Sequence, residues 1–324
     1  MEVVVLSNAE VRELLPVSEC IDVMAQVLID LTNGDVWHPL RTVMRPPEEA
    51  SLMGLMAAHR SAPSADYGIK VVCIFPGNRA RGLESHFGTV TLFDGETGAP
   101  LAIADAGAVT AIRTAAVSAL ATRELARADA GRLAVLGAGI QARAHLEALA
   151  AVRSFASARI WGRTEAHARS VAERANVPFP VEVVPSAREA VAEADVIATT
   201  TASPEPIIAR EWLARGAHIN AVGSSIPTAR EIDAQTMGTA ALFADRRESF
   251  YAEAGDYLLA VDEIGPREVR SELGEVLTGA GDGRRTDDEL TIFKSLGLAA
   301  EDLAAVEYLY RRAVETGSGQ RVEL

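Results

Sequence analysis

Two groups of residues in this sequence have types and spacings suited to chemistry. The first is Gly137-Ala138-Gly139-Ile140-Gln141-Ala142, which follows the apolar run 133–136 and opens a helical run. Gly137 permits a tight turn, Gly139 lets the backbone approach a pyrophosphate, and Ala142 is the small third residue that helix–strand packing needs. Unpaired N–H groups and the dipole at the helix start favour phosphate. The turn therefore reads as a dinucleotide site. The second group is Arg41, Lys70 and Arg113, three cations within otherwise apolar segments. A buried cation needs a partner, and an anionic substrate is one. The alternatives are an exposed sheet face for Lys70 and a structural acid such as Asp105 for Arg113.

The stretch after the second strand bears on which dinucleotide is bound. An NAD site places an acid there, about 20 residues past the glycines, to bond the ribose 2′-hydroxyl. This chain has Trp161-Gly162-Arg163-Thr164 instead. Arg163 suits the 2′-phosphate of NADP, and Thr164 adds a hydroxyl while capping the next helix. A merely solvated Arg163 is the alternative. The pattern predicts NADPH as the preferred cofactor, with NADH second. The histidines at 38, 59, 145, 167 and 218 lack ligand spacing, so no metal site is expected.

These residues need elements to hold them. From residue 132 the strand-like runs RLAVLG, ARIWG, VEVV, DVIATT, AHINAVG and AALFAD follow, the first four alternating with helical segments. That is the pattern of a parallel sheet covered on both faces. A long Ala-rich helix precedes them from Ala106. The first 105 residues read as a sheet preceded by two helices. Ser7-Asn8-Ala9-Glu10 is a capping box. A second helix from Ser18 carries Ile21, Met24, Val27, Leu28 and Leu31 at helical spacing and stops at Asn33-Gly34. Strand-like runs begin at 40, 51, 67, 87 and 101. The segment DELTIFKSLG and onward reads as a loop and a closing helix, and LTGAGDGRRTDDE as an exposed loop.

Composition narrows the partners. At 324 residues the chain has room for two domains, and its net charge of -14 disfavours nucleic acid. Two cysteines without a CxxC argue against a zinc or disulfide framework and suit a reducing cytoplasm. No signal peptide and no membrane span are expected.

Over nearly its whole length the chain resembles the ornithine cyclodeaminase/mu-crystallin family. The resemblance rests on PLRTVM, YGIKVVCIFPGN, ESHFGTVTLFDGETGAPLAIAD, TAIRTAAVSALAT, VLGAGIQARAHLEAL, WGRT, INAVGSS and FKSLG, in that order. It implies an α/β fold in two domains. A Rossmann-type parallel-sheet dinucleotide-binding domain spans 119–298. An α+β substrate-binding and dimerisation domain spans 1–118 and is completed by 299–324. It also implies a homodimer built on the N-terminal sheet. Matching positions make Arg41 and Arg113 the clamp for a substrate carboxylate. Lys70 either joins that clamp or gives a proton to an imine. The positions implied for the cofactor are Ser85, His86, Gly137, Gly139, Ile140, Gln141, Arg163, Thr164, Thr200, Thr201, Val222 and Ser295.

Two departures from the family pattern bear on reaction type. Gly54 stands where cyclodeaminases carry an acid. Ser225 stands where cyclodeaminases and the family's alanine dehydrogenases carry Asp. Such a carboxylate activates an amine or a water, and the mu-crystallin members lack it too. The expectation is NAD(P)H-dependent reduction of a small, cyclic, carboxylate-bearing 2-imino acid. Ser225 either bonds the imine region or only shapes its loop. The alternatives are an ornithine/lysine cyclodeaminase, an alanine-type dehydrogenase and, in another class, a non-catalytic NADP-binding crystallin. Retention of all three cations counts against the last.

Overall fold

The structure is a computed structural model that describes residues 2–62 and 65–324. It divides into two compact units, Met1–Arg113 with Leu298–Leu324, and Thr114–Gly297. Unit 1 is built on a mixed sheet. Its strands are β1 (Glu2–Leu6), β2 (Val36–Trp37), β3 (Thr42–Met44), β4 (Leu52–Arg60), β5 (Asp66–Ile74), β6 (His86–Asp94), β7 (Pro100–Asp105) and β16 (Gln320–Glu323). The order is β16-β1-β7-β6-β5-β4-β2, with β3 also paired to β4. Only β1 and β7 run parallel. Helices α1 (Asn8–Leu14), α2 (Val17–Asn33) and α12 (Ala299–Thr316) belong to this unit, and α3 (Ala106–Leu125) leads out of it.

Local signals explain how these elements begin and end. Ser7 and Glu10 form the expected capping box on α1. Gly34 takes a left-handed φ of +86° and closes α2. That helix starts at Val17 on Pro16, one residue before the expected Ser18. In the middle of the sheet, burial alternates along β4 to β7. Gly54, Met56 and Ala58 of β4, Gly68 and Lys70 of β5, and Val90 and Leu92 of β6 point to the covered face. There α12 packs across β4 to β7, burying Leu303, Val306 and Leu309, each worth roughly 1.5–3 kcal/mol. A Cβ on Gly68 would lie 2.9 Å from Leu303 Cδ1, so this glycine sets how closely the helix approaches.

Unit 2 is a fully parallel sheet. Its strands are β8 (Arg132–Leu136), β9 (Ser157–Trp161), β10 (Val181–Val183), β11 (Val196–Thr199), β12 (His218–Ala221), β13 (Ala241–Ala244), β14 (Val269–Glu272) and β15 (Thr291–Lys294). Their order is β10-β9-β8-β11-β12-β15-β13-β14. The connecting helices are α4 (Ile140–Ala150), α5 (Glu165–Arg174), α6 (Ala187–Val191), α7 (Ala234–Thr239), α8 (Arg247–Glu253), α9 (Gly255–Leu258), α10 (Val261–Ile264) and α11 (Leu273–Thr278). Strand order reverses between β8 and β11, which is the topological switch point where such sheets bind ligands.

Among the described residues five strands, β1, β2, β14, β15 and β16, lie outside the sequence patterning. The largest correction concerns Thr291–Lys294. It reads as loop but forms β15, wholly buried between β12 and β13. Of the expected loop 277–289, Leu277 and Thr278 instead close α11, and the rest is mostly exposed yet pinned. Arg284 Nε donates to the Leu125 carbonyl at 2.6 Å and Nη2 to Thr291 Oγ1 at 2.9 Å.

Candidate active site

In unit 1 the alternation of β5 turns Lys70 inward, between Met56 of β4 and Val90 of β6. Helix α3 brings Arg113 to the same place, and the first turn of α12 brings Glu301 and Asp302. Lys70 Nζ lies 2.6 Å from Asp302 Oδ2. Arg113 Nε donates to Asp302 Oδ1 at 3.1 Å, and its Nη1 donates to Glu301 Oε2 at 2.9 Å. Lys70 is 3% exposed and Arg113 4%. Of the two alternative readings, the exposed one is thereby corrected, and the structural-acid one is met by other acids. Lys70 does not lie on an exposed face. Arg113 does pair with structural acids, but they are Glu301 and Asp302. Asp105 instead accepts from the Ala108 N–H at 2.7 Å and from Asn8 Nδ2 at 2.8 Å, capping α3.

Charge in this cluster is finely opposed. Burial pushes the Lys70 ammonium down and Asp302 resists, while Arg113 and Arg41 add to the fall, leaving its pKa at about 8. Burial pushes the Asp302 carboxyl up, but Lys70 and Arg113 hold it below its ordinary range. Arg41, half-buried just before β3, is near enough for its charge to be felt at Lys70. Lys70 and Arg113 thus meet two carboxylates, with the Arg41 charge nearby. Neither acid stood out in the sequence. Their signal was an acidic pair in the first turn of a largely buried helix, where acids complement the dipole. Gly54 opens on the same sheet face, where an added Cβ would meet Val72 Cγ1 at 3.4 Å. Ser85 Oγ and His86 Nδ1 bond at 2.9 Å, with His86 exposed at the start of β6.

In unit 2 the chain leaves β8 at Gly137, where φ is +134° and an added Cβ would sit 2.3 Å from Thr200 Oγ1. Only glycine is comfortable there. Gly139 is the N-cap of α4 and provides no side-chain cap, and an added Cβ there would meet nothing within 4 Å. Ala142 is fully buried, as the third small position requires, whereas Ile140 is exposed. Gln141 lies in the first turn of α4, and its carbonyl bonds His145 Nδ1 at 2.8 Å. Arg163 and Thr164 are exposed after β9. Thr164 is the N-cap of α5 by position, but its hydroxyl makes no cap bond, contrary to expectation. Thr200 Oγ1 donates to the Leu136 carbonyl at 3.1 Å, and the Val222 N–H to the Thr199 carbonyl at 3.0 Å. Thr201 bonds Glu231, a buried acid the sequence reading passes over. Ser225 is half-buried after β12, and Ser295 Oγ is buried without a hydrogen-bond partner among the described residues.

These features fit a dinucleotide. Gly139 leaves room for a pyrophosphate at uncapped helix N–H groups, and Ser295 offers an uncommitted hydroxyl. His145 and His218 are neutral structural groups, with burial pushing them to about 4 and about 3. Among the described residues no cluster of His, Cys, Asp and Glu is suited to a metal ion, and no helix is long and apolar enough to cross a membrane.

The parallel sheet, its switch point and the glycine turn define a nicotinamide-dinucleotide type of α/β fold. The chain matches the ornithine cyclodeaminase/mu-crystallin family over residues 1–317 and belongs to that family. It is 41% identical to the ketimine reductase mu-crystallin of Mus musculus, over 86% of each chain. Its structure is similar to that of the Thermococcus litoralis Delta(1)-pyrroline-2-carboxylate reductase in complex with NADH and L-proline. The TM-score is 0.94 at 33% identity, over 98% of this chain and 100% of that one. An archaeal alanine dehydrogenase dimer with bound NAD gives a TM-score of 0.93 at 31% identity, over 100% of both chains.

Proposed function

We propose that this protein reduces small, cyclic, carboxylate-bearing 2-imino acids with a nicotinamide dinucleotide. The observation that carries this reading is the buried Lys70–Asp302–Arg113 cluster, with the Arg41 charge felt beside it. It suits one substrate carboxylate. The relatives that act on ketimines and on pyrroline-2-carboxylate support the substrate class.

A bound reduced nicotinamide supplies hydride to the imine carbon. Arg41 and Arg113 draw in the substrate carboxylate. Lys70, protonated below about pH 8, gives a proton to the imine nitrogen. Hydride on carbon and proton on nitrogen together convert C=N to CH–NH. Asp302 holds the Lys70 ammonium in place. The test is oxidation of the reduced dinucleotide on addition of 1-pyrroline- or 1-piperideine-2-carboxylate; absence of consumption with either ring overturns the proposal.

The preferred cofactor is NADPH, because Arg163 is exposed directly after β9 and no acid stands at the tip of that strand. Ser85 and His86 are further cofactor contacts in this reading. Arg163→Asp should reduce the preference for NADPH over NADH by roughly 10-fold or more, from a charged hydrogen bond worth ~1.5–3 kcal/mol. Wild-type kcat/KM that is equal or better with NADH removes Arg163 from this role.

The protein acts as a homodimer through the sheet of unit 1. The face opposite α12 is apolar, with Leu55 beside Val71 and Met53 beside Cys73, which in turn neighbours Phe87. Phe87 and Tyr67 are about half exposed on it, an expanse too apolar for open water. Val71→Asp should give a monomer in light scattering; a dimer that survives this substitution places the interface elsewhere.

A further inference from the structure

Glu231 is fully buried and its carboxylate is saturated. Oε1 accepts from the Thr201 N–H and from Thr201 Oγ1, both at 2.6 Å. Oε2 accepts from Thr199 Oγ1 at 2.7 Å and from the Gly223 N–H at 2.8 Å. One side chain therefore ties the segment leaving β11 to the segment leaving β12. The network continues. The Glu231 and Ile232 N–H groups donate to Asp256 Oδ1 at 2.7 and 3.0 Å. Asp256 Oδ2 lies 2.9 Å from Lys294 Nζ, both groups fully buried. Lys294 ends β15 and also donates to the Ala221 carbonyl at 3.1 Å. The ends of β11, β12 and β15 are thus joined through buried charge.

Topology says what these ends serve. In a sheet with this switch point the dinucleotide spans both sides of the reversal. The adenosine half would lie on the β9 side, where Arg163 stands, and the nicotinamide half on the β11, β12 and β15 side. Ser225 is two residues past Gly223, and Ser295 directly follows Lys294. Burying an unpaired carboxylate is costly, and burial and Asp256 do push the Glu231 pKa up while its donors oppose them. With every acceptor site occupied by the chain itself, Glu231 has nothing left for substrate.

We propose that Glu231 is the positioning residue for the nicotinamide half of the site, fixing the spacing of the Thr199–Thr201 and Val222–Ser225 segments. This rests on the dinucleotide reading above. The test compares two ligands on the full chain: NADPH, and 2′-phospho-ADP-ribose, which lacks the nicotinamide. Glu231→Gln turns one acceptor into a donor facing donors. It should weaken NADPH binding roughly 10-fold or more while leaving 2′-phospho-ADP-ribose within about twofold. Thr199→Val, nearly isosteric, removes a single donor and should give the same split to a smaller degree; it carries the test if Glu231→Gln does not fold. A general structural role would weaken both ligands alike. Equal loss for both, or no loss for either, in the folded variants overturns the proposal. Wild-type protein that binds neither ligand would instead defeat the dinucleotide reading itself.

Discussion

Replacing Lys70 by Met should lower kcat/KM for a ring imine by ~10²–10⁴-fold, the range for a positioned general acid, with dinucleotide affinity little changed. The side chain sits in the buried face of β5, 2.6 Å from Asp302, with Arg113 on the same carboxylate. Its pKa of about 8 lies below that of an ordinary lysine, chiefly through burial. The ammonium is the donor, so wild-type kcat/KM should fall as pH rises through about 8. Lys70→Met should be flat, at its low level, across that window. Removing one partner of a buried pair costs about 3–5 kcal/mol. Arg113 still faces Asp302, so the variant should fold, and its Tm is recorded alongside. Arg41→Ala should act chiefly on the imine KM, because Arg41 attracts the carboxylate in ground and transition states alike. Near-wild-type efficiency in Lys70→Met, or an unchanged alkaline limb, removes the lysine from proton transfer.

The second large effect concerns reaction type. The protein should turn over a preformed cyclic imine at least ~10²-fold faster than it releases ammonia from ornithine, the lower bound for a missing general base. Imine reduction needs hydride, one proton and a held carboxylate. Cyclodeamination also needs an amine activated for internal attack. The two positions where cyclodeaminases carry acids hold Gly54 and Ser225 here. A Cβ at Gly54 would make only ordinary contact with Val72, and neither Gly54 nor Ser225 brings the charge. Ser225→Asp alone should not create an efficient cyclodeaminase. Ammonia and proline formed from ornithine are measured beside NADPH consumed by the imine. Rapid proline formation without imine reduction would reverse this assignment.

The sequence showed much of the frame and less of the site. The glycine turn, the strands from β8 to β12, the capping box on Ser7 and the stop at Gly34 are local signals, each written within a few neighbouring residues. The strands outside that patterning are two to five residues long. Thr291-Ile292-Phe293-Lys294 is too short to show a period, follows acidic residues, and ends in a lysine that only tertiary structure can bury. The three cations of unit 1 stood out because charge is conspicuous among alanines and valines. Their carboxylates did not, because Glu301 and Asp302 look like any acids opening a helix. Glu231 was hidden for the same reason. Its role depends on donors from two other loops, and nothing adjacent in sequence announces them.

The return of α12 and β16 to unit 1 gives the protein an order of assembly. On the ribosome, the chain of unit 2 is complete before Leu298 is joined, whereas unit 1 is not. Until α12 emerges, the inner face of the first sheet lacks the helix that crosses β4 to β7, and Lys70 and Arg113 lack Asp302 and Glu301. Open apolar surface and unpaired charge are both unfavourable, and they make such a nascent chain prone to aggregate. β1, which precedes the other strands of its sheet, gains its outer neighbour only from β16, which follows all of them. Translation thus finishes the parallel sheet of unit 2 first, and the buried ion pair of unit 1 closes only when Asp302 reaches Lys70.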